Sequence, residues 1–206
     1  MKLLVVAASA TLMWSTLAVA QGTFLYDQQS STDETAWPYG SGGSLPSAAP
    51  CGQSFTPTLS GINFIRLNFN DGNPNDGLGT SVYLNLRANS FTGTTLGTSD
   101  SVAMPNGFTG VEDFSFSSTI PLTPGTTYFF EIVETPSWVP WNFANGSYDY
   151  AGGYAYYRGS PAGGSDLWFR EGLYTVPEPS AALLGLLGFG VLGLLRARRG
   201  IETAST

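Results

Sequence analysis

The chain has 206 residues, a formal net charge of -7 at pH 7, no histidine and a single cysteine. The absence of histidine excludes the Ser-His-Asp and Cys-His nucleophilic devices and removes the commonest zinc ligand. Residues 21–176 contain no lysine and only four arginines, and such an acidic surface argues against nucleic acid or anionic lipid as a partner. Because Cys51 is the only cysteine, no intramolecular disulfide can form, and Cys51 is predicted to be a half-buried structural thiol.

The first twenty residues have the three parts of a secretory signal peptide. Met1 and Lys2 form a short positive region, residues 3–17 are hydrophobic, and residues 18–20 supply the small side chains of a cleavage site. This order predicts export, with cleavage after Ala20. An uncleaved N-terminal anchor is the alternative, which the small residues at the cleavage positions disfavour.

Residues 21–176 are predicted to form one domain, an all-β sandwich of jelly-roll type. Apolar and polar residues alternate in short runs separated by turn formers, which is the pattern of half-buried strands. About eight to ten strands at this spacing fit a sandwich. Residues 26–52 are rich in Ser, Thr, Gly, Pro and Ala and are predicted to be a long irregular connection. The clearest strands are residues 65–69, 82–88, 114–116, 126–133 and 166–173.

The loop at residues 71–77 is the candidate metal site. Asp71, Asn73 and Asp76 place oxygen donors at close positions on a short turn, as calcium loops do. The match to an EF-hand is partial, because Asp76 stands where glycine is required and Val82 stands where glutamate is required. Asn, Asp, Gly and Pro are also the strongest turn formers, so a plain solvated loop is the favoured alternative. Calcium is the only cofactor for which the sequence offers a candidate site, and no other cofactor is expected.

The carboxylates of the domain do not form a convincing catalytic pair. Glycoside hydrolysis is the chemistry to consider when histidine is absent, because it needs only two carboxyl groups. Glu131 and Glu134 are three residues apart on a predicted strand and tend to face opposite sides, while Glu112 and Asp113 are direct neighbours. Solubilising surface charge is therefore the favoured interpretation, and the chain is predicted not to be an enzyme.

Aromatic residues crowd the segment from residue 138 to residue 157. Rings beside Asn and Asp side chains are what a sugar-binding surface uses, since the flat face of a sugar stacks on a ring while its hydroxyl groups bond to nearby polar groups. Packing at the end of a sandwich is the competing interpretation of the same residues. The candidate glycan-binding residues are Trp138, Trp141, Tyr148, Tyr150, Tyr154 and Tyr156.

The C-terminal segment, residues 177–206, has its own three-part order. Pro177, Glu178 and Pro179 come first, an apolar stretch at residues 181–195 follows, and a basic cluster comes last. The apolar stretch is somewhat shorter than the roughly 20 residues usual for a membrane-spanning helix, yet the basic cluster after it is typical of a cytoplasmic flank. The order predicts a transmembrane helix, which belongs either to a sorting signal or, as the alternative, to an ordinary stop-transfer anchor. The cluster consists of Arg196, Arg198 and Arg199.

Together these C-terminal features resemble the PEP-CTERM sorting signal of Gram-negative bacteria. The resemblance implies recognition by an exosortase, a membrane cysteine protease and transpeptidase that removes the helix and delivers the domain to the cell surface. Proteins with this signal commonly accompany exopolysaccharide production. The chain departs from the usual pattern in one respect, because residues 200–206 continue past the arginine cluster.

The sequence thus predicts a non-enzymatic protein of the cell surface or extracellular matrix, associated with exopolysaccharide or biofilm. It is expected to cross the inner membrane, to be anchored there transiently, and to meet an exosortase and then extracellular polysaccharide. A carbohydrate-binding module that uses the aromatic segment is the alternative, and a glycosidase is a weaker third hypothesis.

Overall fold

The structure is a computed structural model that describes residues 22–35 and 42–176, and within them it consists almost entirely of strands. A single short helix, α1 (Leu45–Ala48), interrupts them. The strands are β1 (Thr23–Gln29), β2 (Gly42–Ser44), β3 (Cys51–Phe55), β4 (Gly61–Asp71), β5 (Thr80–Ala88), β6 (Thr95–Thr98), β7 (Val102–Met104), β8 (Thr109–Pro121), β9 (Tyr128–Thr135), β10 (Trp141–Gly146), β11 (Ala155–Tyr157), β12 (Ser160–Ala162), β13 (Asp166–Leu167) and β14 (Phe169–Thr175).

These strands form two antiparallel sheets. Sheet I has the order β1-β14-β4-β10-β13, with β8 added to β4 and β2 added to β10. Sheet II has the order β12-β11-β3-β9-β5-β6, with β7 added to β5. The prediction of an all-β sandwich is therefore confirmed, while its jelly-roll type stays a prediction. The predicted signal peptide and the predicted transmembrane helix lie outside the described residues.

The apolar core lies between the two sheets and combines aliphatic with many aromatic side chains. In β5 the buried residues alternate with half-exposed ones, as the period of two in its sequence predicts. Cys51 is fully buried rather than half-buried, and burial raises the pKa of its thiol to about 12, which makes it an inert packing residue. The largest fully buried side chains are Trp141, Trp168, Phe55, Phe64, Phe69, Phe114, Phe130, Phe143 and Phe169.

The prediction of an irregular connection over residues 26–52 is wrong in part. β1 is an edge strand of sheet I that pairs with β14, so that Thr23 lies opposite Thr175. Its pattern is hard to recognise because a bulge between Tyr26 and Gln28 shifts the register and breaks the alternation. α1 and the first residues of β3 also fall within this range. α1 contacts β2 and β10 of sheet I and β9 of sheet II.

An ionic network covers part of the outer face of sheet I. Arg66 on β4 donates two hydrogen bonds to Asp113 on β8, at 2.6 and 2.7 Å. Glu34 accepts from Arg66 at 2.9 Å and from Arg170 at 2.5 Å. Because the Arg66 guanidinium lies over Phe24 of β1, 4.6 Å from the ring centroid, and also binds Glu34, the network fixes both β1 and the segment that follows it.

A fully buried carboxyl group, Glu171, lies on β14. Its oxygens have no hydrogen-bond partner of good geometry. Burial, followed by the nearby Asp27 carboxylate, raises the pKa of Glu171 to about 9, although the backbone N–H of Gln28 lowers it. Burial alone would raise the pKa of Asp27 too, but hydrogen bonds from Leu59 and Thr58 outweigh burial and lower it. The fold therefore holds Glu171 protonated and Asp27 ionised at neutral pH.

The Glu171→Gln variant should lose part of the pH dependence of stability. Since the pKa of Glu171 is about 9 in the fold and 4.5 as a model value, the unfolded chain releases this proton at lower pH than the folded chain. Between these two pKa values, each pH unit of increase lowers the free energy of unfolding by about 1.4 kcal/mol through this group. Below the lower value the group has no such effect. Melting temperatures of the variant and of the native sequence should converge near pH 4 and diverge, with the variant higher, toward pH 8.

The matched control for this prediction is Asp100→Asn, which removes one carboxylate from an exposed position. Its pH profile should run parallel to that of the native sequence. If the pH profile of Glu171→Gln also runs parallel to that of the native sequence, the buried carboxyl group is not held in its protonated form.

Candidate functional site

The two tryptophans of the predicted glycan site have different environments. Trp141, at the start of β10, is fully buried and stacks on Phe108 with 6.3 Å between ring centroids. Trp138, in the loop between β9 and β10, is 65% exposed. Trp141 therefore lies in the core, and only Trp138 presents its indole to solvent.

Tyr150 supports the loop that precedes β11. Its hydroxyl group accepts a hydrogen bond from the backbone N–H of Thr56 and donates one to Gln28, both at 3.2 Å. Its ring packs edge-on against Phe169, with 5.1 Å between centroids. Burial raises the pKa of Tyr150 to about 12, so the hydroxyl keeps its proton and continues to donate. Tyr148, earlier in the same loop, is half-buried.

Tyr154 and Tyr156 lie side by side on the outer face of sheet II. Their rings stack with 5.5 Å between centroids, and Tyr156 stacks in turn on Phe91 at 4.8 Å with the ring planes nearly parallel. Phe129 on β9 meets Tyr156 edge-on at 5.6 Å. Tyr154 is 42% exposed, so the ring most open to solvent belongs to Tyr154, and the other three rings support it.

These tyrosines form one wall of a cleft with a volume of about 410 Å³, which we call the tyrosine groove. Hydroxyl groups also line this cleft: the Thr56 and Thr127 oxygens are 3.2 Å apart, and Thr56 also donates to the Gly152 carbonyl at 2.9 Å. A hydroxyl group has one donor and two acceptor positions, so this pair keeps capacity for a ligand. The groove is lined by Ser54, Thr56, Thr127, Phe129, Tyr154, Tyr156 and residues 151–153.

Gly153 lets the loop lie directly against β3. A side-chain carbon at this position would come within 2.0 Å of the Ser54 carbonyl oxygen, so no larger residue fits without displacing the backbone. Around it, the Ser54 hydroxyl accepts from the backbone N–H of Tyr154 at 3.0 Å and donates to the Tyr154 carbonyl at 3.2 Å. These contacts fix the backbone that carries the Tyr154 ring.

A smaller recess of about 150 Å³ adjoins the groove, and the two share Gly153 and Tyr154 in their walls. The recess carries two carboxyl groups, on Asp149 and Asp166. Asp166 is buried and accepts from the Gln53 side chain at 2.9 Å, and burial is the main reason that its pKa is raised. Asp149 is exposed and has a positive φ of 58°.

The carboxylates considered for catalysis lie away from the tyrosine groove. Asp113 is paired with Arg66, and Glu131 is paired with Arg87 at 2.5 Å. Glu131 and Glu134 both contribute to a different cavity, of about 260 Å³ and lined largely by apolar residues. Burial raises the pKa of Glu134 to about 7. That the chain is not an enzyme stays a prediction.

The candidate calcium loop directs its acidic side chains at backbone N–H groups. The two Asp71 oxygens accept from Asn73 at 2.8 Å and from Gly107 at 2.7 Å, and Asp76 accepts from Leu78 at 2.8 Å. Hydrogen bonds of this kind stabilise turns. In the described part of the chain no three His, Cys, Asp or Glu side chains are grouped to hold a metal ion. The geometry thus favours the plain turn, and calcium binding at Asp71, Asn73 and Asp76 stays a prediction.

The predicted sorting residues, from Pro177 to Pro179 and at positions 196, 198 and 199, lie outside the described residues. Residues 22–35 and 42–176 include no helix long and apolar enough to cross a membrane. Residues 175–199 match the PEP-CTERM protein-sorting motif. No curated protein and no solved structure shows a match to the chain.

The fold and the motif together describe a β-sandwich domain followed by a motif that supports sorting by an exosortase-type system. The chain carries a PEP-CTERM sorting motif, as the order of its C-terminal features predicts. This motif implies an exosortase as processing partner and a surface or extracellular destination.

The sequence did not indicate that Ser54, Thr56, Thr127 and Phe129 line the tyrosine groove, nor that Phe91 stacks on Tyr156. Ser54 and Phe129 could have been found from the alternation of β3 and β9, which turns them away from the core. Phe91 gives no such signal. It follows β5 in a tight loop that Arg87 holds through the Gly93 carbonyl at 3.0 Å, so its place under Tyr156 depends on the fold.

The two tryptophans should respond differently to truncation. Trp141→Ala should lower the free energy of unfolding by about 3–5 kcal/mol, because it removes a buried ring and leaves a cavity. Trp138→Ala, at an exposed position, should change it by less than about 0.5 kcal/mol. Urea unfolding followed by far-ultraviolet circular dichroism measures both. Equal losses for the two variants would contradict the placement of Trp138 at the surface.

Proposed function

We propose that the mature protein is a non-enzymatic component of the cell surface or extracellular matrix that binds extracellular polysaccharide through the tyrosine groove. The observation that carries this proposal is that the exposed Tyr154 and the hydroxyl groups of Thr56 and Thr127 line one cleft. A sugar ring has an apolar face and polar edges, and this groove offers a partner to each. The sorting motif supports the same proposal, because it directs the domain to where such polymers lie.

Binding at this site should be weak for a single sugar and stronger for a polymer. Stacking on one aromatic ring contributes about 0.5–1.5 kcal/mol beyond the burial of area, which is far too little for a tight site. A polysaccharide presents the same unit many times, so several protein molecules on one surface gain from effective concentration. A glycosidase is disfavoured because the carboxyl groups considered for catalysis do not line the groove: Asp113 and Glu131 are paired with arginines, and Glu134 lines a different cavity.

We also propose that an exosortase removes the C-terminal helix. The native protein recovered from the cell surface should then end near Pro179 and lack residues 181–195, which intact-mass spectrometry measures.

Replacing Pro177, Glu178 and Pro179 with Ala should leave the unprocessed precursor in the membrane fraction. Neutral residues in place of the three arginines should impair retention and processing, because basic flanks resist translocation. Recovery of the intact tail from surface material would contradict the proposal.

Tyr154→Ala should weaken binding to a polysaccharide by about three- to tenfold, since it removes the stacking face and 1.4 kcal/mol corresponds to a factor of ten. Tyr154→Phe keeps the face and should retain most of the affinity. Affinity electrophoresis in gels that contain polysaccharides from the native matrix measures this change.

The matched control is Tyr174→Ala, which removes another exposed tyrosine, on β14 of sheet I. It should bind like the native sequence. Trp138→Ala tests separately whether the exposed tryptophan contributes. Unchanged binding of Tyr154→Ala, with a melting temperature like that of the native protein, would exclude the tyrosine groove as the site.

A further inference from the structure

We propose that the tyrosine groove selects neutral polysaccharides and rejects anionic ones. This inference rests on the proposed function and adds the chemical class of the ligand. It combines the uncharged walls of the groove, the carboxyl groups beside Tyr154 and the pairing of the arginines.

The walls of the groove offer rings, hydroxyl groups and backbone, but no charged side chain. Such a surface recognises the apolar face and the hydroxyl groups of a neutral sugar. It has no cationic group to pair with a carboxylate or sulfate that has lost its hydration, and an unpaired charge is costly to remove from water.

The arginines of the described residues are committed elsewhere. Arg66 and Arg170 share Glu34, and Arg87 is paired with Glu131. The remaining one, Arg158, lines a different cavity and donates to a backbone carbonyl at 3.0 Å. None of them lines the tyrosine groove or the adjoining recess, so neither offers a guanidinium group to an acidic sugar.

The recess adds repulsion at one end of the groove. Because it shares Gly153 and Tyr154 with the groove, a polymer lying on the Tyr154 face and extending past Gly153 meets Asp149. Asp149 is exposed, whereas Asp166, which lines the same recess, is buried. A uronate or sulfate unit at that position would face like charge, whereas a neutral unit can donate its hydroxyl protons to the same oxygens.

Matched pairs of soluble polymers test the inference without knowledge of the native ligand. Each pair has one backbone and differs in charge: hydroxyethylcellulose with carboxymethylcellulose, dextran with dextran sulfate, and methyl-esterified pectin with polygalacturonate. Affinity electrophoresis of the secreted protein at low ionic strength should show at least about tenfold tighter binding to the neutral member of any pair that binds. The preference should shrink at high salt, which screens exposed charges.

The role of the recess is tested by Asp149→Asn, which keeps the side-chain shape and tolerates the positive φ. It should reduce the preference for the neutral member by about two- to fivefold. Asp100→Asn changes the net charge by the same amount at another exposed position and should leave the preference unchanged. Tyr154→Ala should weaken binding to the neutral member.

The outcomes separate the two proposals. Binding to no polymer, including the native matrix polysaccharide, would overturn the proposed function itself. Binding that Tyr154→Ala weakens, but that is equal or tighter for the anionic member, would overturn only the inference about ligand class. Equal effects of Asp149→Asn and Asp100→Asn would show that net charge causes the preference and would overturn the role of the recess.

Discussion

The pairing of β4 is the constraint on which the rest of the sandwich depends. β4 pairs along one edge with β8 and along the other with β14 and then β10, so three strands take their register from it. Since successive side chains point to opposite faces, this register buries Ile65, Leu67 and Phe69 in the core and turns Arg66 outward. With Cys51 as the only cysteine, no intramolecular disulfide replaces this pairing and packing.

The outer faces of the two sheets differ as a consequence. On sheet I, the outward Arg66 gathers Asp113 and Glu34, and aromatic rings from β1 pack over the strand. On sheet II, the strands are short near β11, and the stacked rings of Tyr154 and Tyr156 remain partly open to solvent. The candidate binding surface therefore lies on sheet II, where the fold leaves aromatic faces uncovered.

Because basic residues are scarce, most of them are used in ion pairs, and the rest of the surface is acidic. Three of the four arginines of the domain are used in ion pairs with carboxylates that the sheets bring near them. The remaining acidic groups leave a surface that repels anions at long range, which agrees with the proposed preference for neutral polymers. Glu171 differs from the paired acids, because its environment keeps it protonated.

The features that the sequence determined are those carried by neighbouring residues in one segment. The period of two at residues 82–88 and 126–133 predicted strands that the structure contains, because burial on one face acts on alternate residues. The order of motif, apolar stretch and arginine cluster predicted the sorting signal, because a sorting motif is a linear segment of chain. Local patterns of this kind need no knowledge of the remaining contacts.

Only the tertiary structure decided which aromatic residues share a surface. Trp138 and Trp141 look alike in the sequence, yet one is exposed and the other is buried because β10 begins at Trp141. The tyrosine groove draws its walls from β3, β9, β11 and their adjoining loops, and Phe91 supports it from a further loop. Residues so distant along the chain become neighbours through the pairing of β3 with β9 and β11, a long-range register that no local pattern encodes.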